Sequence, residues 1–157
     1  MLRPEHLPEL ARRGIAVVPT LVIGDAVLAT VAAMGAGPDA VAELRAVLDG
    51  LPHVVRQAAE LGVTVLAGTD AGMVPHGRIA DEVRLLLTGG LEPEIALGAA
   101  SWTAREWLGL PGVEEGAPAD AVVYPDDPRG DPQVLLHPRH VLLDGRSVEP
   151  GTAVSRL

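Results

Sequence analysis

The sequence contains no cysteine, no phenylalanine and no lysine. Without cysteine there can be no disulfide, no thiolate zinc site and no cysteine nucleophile. With two tryptophans and one tyrosine as the whole aromatic complement, the core must pack from aliphatic side chains. All twelve cationic side chains are arginine. No basic cluster stands against the net charge of −9, which argues against a nucleic-acid surface. No apolar stretch reaches the length of a membrane span, and the N-terminal MLRPEHLPELARR is polar rather than signal-like. The expectation is a soluble, cytoplasmic protein with neither nucleic acid nor membrane as a partner.

What is present is an apolar fraction of 48% in 157 residues, enough to build a core and about one domain by length. Residues 4–13 read as a short helix with Leu7 and Leu10 inward and Arg12 and Arg13 near its C-terminal end, where cations suit the helix dipole. Gly14 ends it. Ile15–Ala16–Val17–Val18 and Leu21–Val22–Ile23 flank Pro19–Thr20. An apolar run without polar alternation predicts a strand buried on both faces, as in parallel sheets, although Pro19 withholds a ladder donor in its middle. The small apolar residues 24–37 fit a loop or a short helix. Pro38 then opens a helix with Val41, Leu44 and Leu48 on one face, interrupted near Gly50–Leu51–Pro52, resuming to about Leu61 and stopped by Gly62. Val63–Thr64–Val65–Leu66–Ala67 is the next buried strand, so the pattern is a strand–helix–strand unit with parallel strands.

A further helix carries Ile79, Val83, Leu86 and Leu87 and ends at Gly89–Gly90. Pro93 opens another with Ile95, Ala99 and Trp102, ending near Leu108–Gly109. From Pro111 the character changes. Ala121–Val122–Val123–Tyr124 and Val141–Leu142–Leu143 are short strands separated by the loop DDPRGDP, and Asp144–Gly145 is a hairpin turn. An α/β region thus precedes a small all-β tail.

The segment AGTDAGMVPHG, Ala67 to Gly77, sets one carboxylate among small residues directly after an apolar run, with a histidine six positions on. In this setting the whole chain resembles the C-terminal part of the amidohydrolase superfamily, metal-dependent hydrolases built on a (β/α)8 barrel with a flanking β-sandwich. RRGIAVVPTL looks like the seventh barrel strand, and GVTVLAGTDAG looks like the eighth, ending in the family's catalytic aspartate, here Asp70. TGGLEPEIALGAASWTAREWLGL resembles the helical segment that follows, GVEEGAPADAVVYPDDP the return to the sandwich, and HVLLDGRSV its closing hairpin. The imidazolonepropionase-like and prolidase-like branch is the most similar. The resemblance implies an α/β fold: the last two β/α units of a TIM-type barrel in residues 1–110, and part of the C-terminal sandwich in residues 111–157. Ser101 stands where threonine is usual, and Glu92 takes a helix N-cap position where serine or threonine is commoner.

One departure is larger. The family's metal site draws on a His–x–His pair, often a carbamylated lysine, and further histidines on earlier strands. Here the five histidines, at 6, 53, 76, 137 and 140, include no such pair, and there is no lysine to carbamylate. The resemblance therefore implies a C-terminal fragment that begins just past the sixth strand and keeps one metal-site residue, Asp70.

In a complete barrel, a divalent metal (zinc in the first instance) lowers the pKa of bound water to about 7. Asp70 would ligate the metal, take the water's proton and return it to a leaving nitrogen. Gly68 and Gly72 would let the backbone turn around it, and His76 and Gly77 would contact a small-molecule substrate from the pocket rim. Each reading has a plainer alternative. Asp70 alone would be a strand-end turn or helix cap, and His76 a surface histidine. His137 and His140 bracket Pro138, which opposes the helix that their spacing would need to hold a metal. Asp126, Asp127 and Asp131 fit no EF-hand pattern and read as turn residues. Thr69–Asp70–Ala71–Gly72 differs in order from the loop of aspartic proteases, and its helical sequel is wrong for an all-β protease.

Two functions follow as expectations. One is an amidohydrolase acting on carbon–nitrogen bonds other than ordinary peptide bonds. In it the present chain is inactive alone, binds no metal tightly, and is completed by missing sequence, a second chain or self-association. The other is a non-catalytic remnant or interaction module derived from such an enzyme.

Overall fold

The computed structural model describes residues 2–148, so residues 149–157 of the expected sandwich region lie outside the described residues. The chain divides into two compact units, residues 1–104 and 105–157.

In the first unit a single 3-10 turn, Pro4–His6, leads into α1, Leu7–Arg12. Gly14, at φ +61°, closes α1 by letting the Ile15 N–H reach back to the Leu10 carbonyl at 3.0 Å. Gly62, at φ +80°, does the same for a later helix, with the Val63 N–H on the Ala58 carbonyl at 2.9 Å. The two helix ends therefore aim the two apolar segments, which meet over a core of Leu7, Ala58 and Val63. Val17, Leu10, Ala11 and Val54 pack around it.

The two segments pair in parallel as the pattern predicts, but through one bridge, Val17 to Val65, rather than a strand ladder. The Val17 N–H donates to the Thr64 carbonyl at 2.8 Å, and the Leu66 N–H donates to the Val17 carbonyl at 2.9 Å. The next parallel bond would come from the N–H of residue 19, and proline has none. In the other direction the Ile15 N–H is already committed to α1. The expected continuation of the strand through Leu21–Val22–Ile23 is instead a 3-10 turn, entered by Thr20 at φ +52°.

Helix α2, Gly24–Ala33, resolves the ambiguous small-residue stretch as helix. Helix α3, Pro38–Glu60, runs without the expected interruption at Gly50–Pro52. Pro52 forfeits one hydrogen bond there, but the following turns are anchored by Val55 and Ala58, both fully buried. Helix α4, Ile79–Thr88, buries Val83 and Leu86. The next predicted helix is split into α5, Pro93–Ala99, and α6, Trp102–Trp107, and its buried face is Ala96, Leu97 and Ala99 while Ile95 is exposed.

The second unit holds a three-stranded antiparallel meander, β1 (Ala121–Val123), β2 (His140–Leu143) and β3 (Arg146–Val148), in the order β1-β2-β3. Asp144 and Gly145, at φ +50° and +72°, form the two-residue hairpin turn that matches strand twist. The Asp120 carboxylate holds that turn by accepting the Asp144 N–H at 2.8 Å. In the acidic loop, Asp127 clasps Arg129, and Asp131 caps the 3-10 turn Pro132–Leu136 through the Gln133 N–H. Both aspartates thus have turn roles, while His137 and His140 are exposed.

Candidate functional site

Asp70 follows the apolar segment Val63–Ala67, whose end is fixed by the Ala67 N–H on the Ala99 carbonyl at 2.8 Å. At φ +48° it is left-handed, a conformation that Asp tolerates better than most side chains. Its carbonyl accepts the Met73 N–H at 3.0 Å, and the Gly72 N–H returns to the Val74 carbonyl at 3.0 Å. This small knot needs Gly72, whose φ of +129° is effectively closed to other residues. The Asp70 side chain is exposed and has no hydrogen bond among the described residues. His76 and Gly77 lie on the same connection to α4, both exposed. Asp70, His76 and Gly77 thus share one loop.

Behind this loop the packing is close. A Cβ on Gly68 would sit 2.5 Å from Val18 Cγ1 and 3.6 Å from Thr20 Oγ1, so the absence of a side chain there lets the ends of the two apolar segments touch. A groove of about 820 Å³ opens beside the Thr20–Ile23 turn, between α2, α3 and α4, with Val22, Leu28, Leu44 and Arg84 among its lining. Asp70, His76 and Gly77 are not part of its wall.

One ionisable residue that the sequence pattern did not single out is Glu82, on α4 and fully buried. Its Oε2 accepts the Val22 N–H at 2.8 Å, and Oε1 is buried without a hydrogen-bond partner among the described residues. Desolvation pushes its carboxyl pKa up, against the lowering effect of the Thr20, Leu21 and Val22 amides. The available signal was its position in the stripe 79, 82, 83, 86, an acid where helical spacing calls for an apolar residue.

Among the described residues no group of three or more His, Cys, Asp or Glu side chains converges to hold an ion. No helix of the described residues is long and apolar enough to cross a membrane.

The comparisons with known proteins decide the family. The model of the amidohydrolase family matches residues 6–148. The chain belongs to the amidohydrolase family. An uncharacterized protein of Mycobacterium tuberculosis is 44% identical over 150 residues, 95% of this chain and 40% of its own length. Among solved structures, a Xaa-Pro dipeptidase with methionine bound in its active site superposes with a TM-score of 0.78 at 27% identity, over 94% of this chain and 38% of that one. A prolidase complexed with N-methylphosphonate-L-proline gives 0.75 at 28%, over 95% and 38%. This amidohydrolase chain therefore has an α/β fold like theirs and spans about 40% of the length of the curated relatives it matches.

Proposed function

We propose that this chain is the Asp70-bearing end of a metal-dependent hydrolase of carbon–nitrogen bonds. The observation that carries the reading is the family match over residues 6–148, with Asp70 exposed at the C-terminal side of the Val63–Ala67 segment. Catalytic groups of β/α barrels stand at that side of the strands. On this reading the parallel Val17–Val65 bridge marks strands seven and eight of a (β/α)8 barrel, residues 1–110 are its last two units, and residues 111–157 belong to the sandwich. Amidohydrolases are generally metal-dependent, with zinc the expected ion. One carboxylate falls short of the three or four ligands such a site needs, so no metal-borne step is derived from this chain alone.

Asp70 itself is an exposed carboxylate with no hydrogen bond among the described residues, able to accept a proton from a nucleophile and pass it to a leaving nitrogen. His76 and Gly77 would contact the substrate from the rim. The neighbours' names support a small amide substrate. An Xaa-Pro bond is itself a peptide bond, tertiary at its nitrogen, so these names widen the proposed carbon–nitrogen bonds to include the peptide link to proline rather than favouring non-peptide bonds alone. The remaining barrel would come from further sequence, a complementing chain or association of copies.

The test is the intact mass of the native product together with assay of the purified 157-residue chain. A mass above 16.2 kDa, or a partner chain carrying the histidines, with hydrolysis abolished by Asp70→Asn, supports the reading. Stoichiometric zinc and hydrolysis by the isolated chain would overturn its inactivity. Full activity of Asp70→Asn in the complete assembly would remove Asp70 from the mechanism. A product of 16.2 kDa with neither partner nor activity would favour a non-catalytic remnant or interaction module.

A further inference from the structure

A fully buried carboxylate that forms no salt bridge among the described residues needs a reason, because ionised groups are costly to bury unless hydrogen bonds offset the lost water. Glu82 has such a compensation. Its Oε2 takes the Val22 N–H at 2.8 Å, and the Thr20 and Leu21 amides favour the same carboxylate. These are the donors at the opening of the Leu21–Ile23 turn, which runs on into α2. No side chain of Thr20 caps them, so an acid 60 residues away in sequence does.

The turn it caps is strained. Thr20 is β-branched and sits at φ +52°, a left-handed conformation that such a residue rarely adopts. The consequence of holding it there is local. Val18, two residues before Thr20, is pressed onto Gly68, where even a methyl group would collide with Val18 Cγ1 at 2.5 Å; Thr20 Oγ1 lies at an ordinary 3.6 Å from the same point. Gly68 is two residues before Asp70, and α4, which carries Glu82, begins as the Asp70 loop ends.

We propose that Glu82 is a positioning residue: its buried carboxyl pins the Thr20–Ile23 turn, which holds the adjoining Val18 against Gly68 and so fixes, from behind, the segment that presents Asp70. The Asp70 loop is thereby clamped at both ends, by the Gly68 contact on its entry and by α4 on its exit. This rests on Asp70 being the catalytic carboxylate.

The test is amide hydrogen exchange and backbone NMR on the 157-residue chain. In the wild type the Val22 amide should exchange as slowly as core amides of α3. In Glu82→Leu, Val22 and Leu21 should exchange about 10- to 100-fold faster relative to those α3 amides, and the resonances of Thr69–Gly72 should shift. Glu82→Gln, whose carboxamide oxygen still accepts an N–H, should return both toward wild type. A freely exchanging Val22 in the wild type, unmoved Thr69–Gly72 resonances in Glu82→Leu, or no rescue by Glu82→Gln would each overturn the proposal. If Glu82→Leu does not fold, Thr20→Gly takes its place. It should keep Val22 protected yet move the Thr69–Gly72 resonances, and unmoved resonances would again refute the clamp. Failure of the catalytic reading shows elsewhere, as an active Asp70→Asn in the complete assembly with these exchange patterns intact.

Discussion

Two acids twelve positions apart lead opposite lives in this chain. Asp70 is exposed, left-handed and unpaired among the described residues, and it sits in a motif that family resemblance picks out at once. Glu82 is fully buried and bonded to the backbone of a distant turn, and no motif marks it. The contrast separates two demands on a site. On the function proposed for Asp70, a reacting group has to remain available, whereas the group proposed to shape its surroundings has to be committed.

The sharpest way to break this contrast is at Glu82. Glu82→Leu should lower unfolding stability by about 2–3 kcal/mol, since it leaves the part-buried Val22 N–H without its acceptor, while Glu82→Gln should retain most of it; urea midpoints decide. If both variants match wild type, the buried acid is not committed at all.

Gly68→Ala comes next, at about 1–3 kcal/mol from the collision with Val18. Shortening the neighbour in Gly68→Ala/Val18→Ala should recover part of the collision term, and strictly additive losses would refute a direct contact.

A third measurement sharpens the comparison through pH. Because burial raises the Glu82 pKa above its ordinary 4.5, the folded protein retains a proton that the unfolded chain has released in the interval above that value. The stability linked to Glu82 is therefore complete below about pH 4.5 and declines as pH rises through the folded pKa. Glu82→Gln should lack this decline, so its stability relative to wild type should improve as pH rises through the same interval. Parallel curves for the two proteins would contradict the raised pKa.

The exposed acids should matter least to the fold. Asp70→Asn should change thermal stability by no more than about 0.5 kcal/mol, as a surface change to a residue that also accepts left-handed backbone. Asp127, exposed and held down to about 2 by Arg129, adds stability above its ordinary 3.8 that is lost as pH falls toward 2. Screening makes that effect small, so Asp127→Asn should leave the midpoint unchanged at neutral pH and moderate salt.

Much of the architecture was legible in residue order. The glycines at 14 and 62 announced helix ends because only a left-handed C′ position lets the closing hydrogen bonds form. Asp144–Gly145 announced its hairpin for the same steric reason. The split of the long helix into α5 and α6, and the unbroken passage of α3 through Pro52, were not legible. Both depend on how strongly neighbouring turns are anchored, and burial of Val55 and Ala58 is a property of the packed molecule.

The same division applies to the site. By itself the sequence determined the family and set Asp70 in its motif, and Pro19 limited the Val17–Val65 pairing, because a motif and a missing proline N–H are both written locally. Only the tertiary structure decided that Leu21–Ile23 is a turn rather than a strand, and that Glu82 is what caps it. That bond joins residues 60 positions apart, and a contact of such range has no trace in local propensity until the chain has folded back on itself.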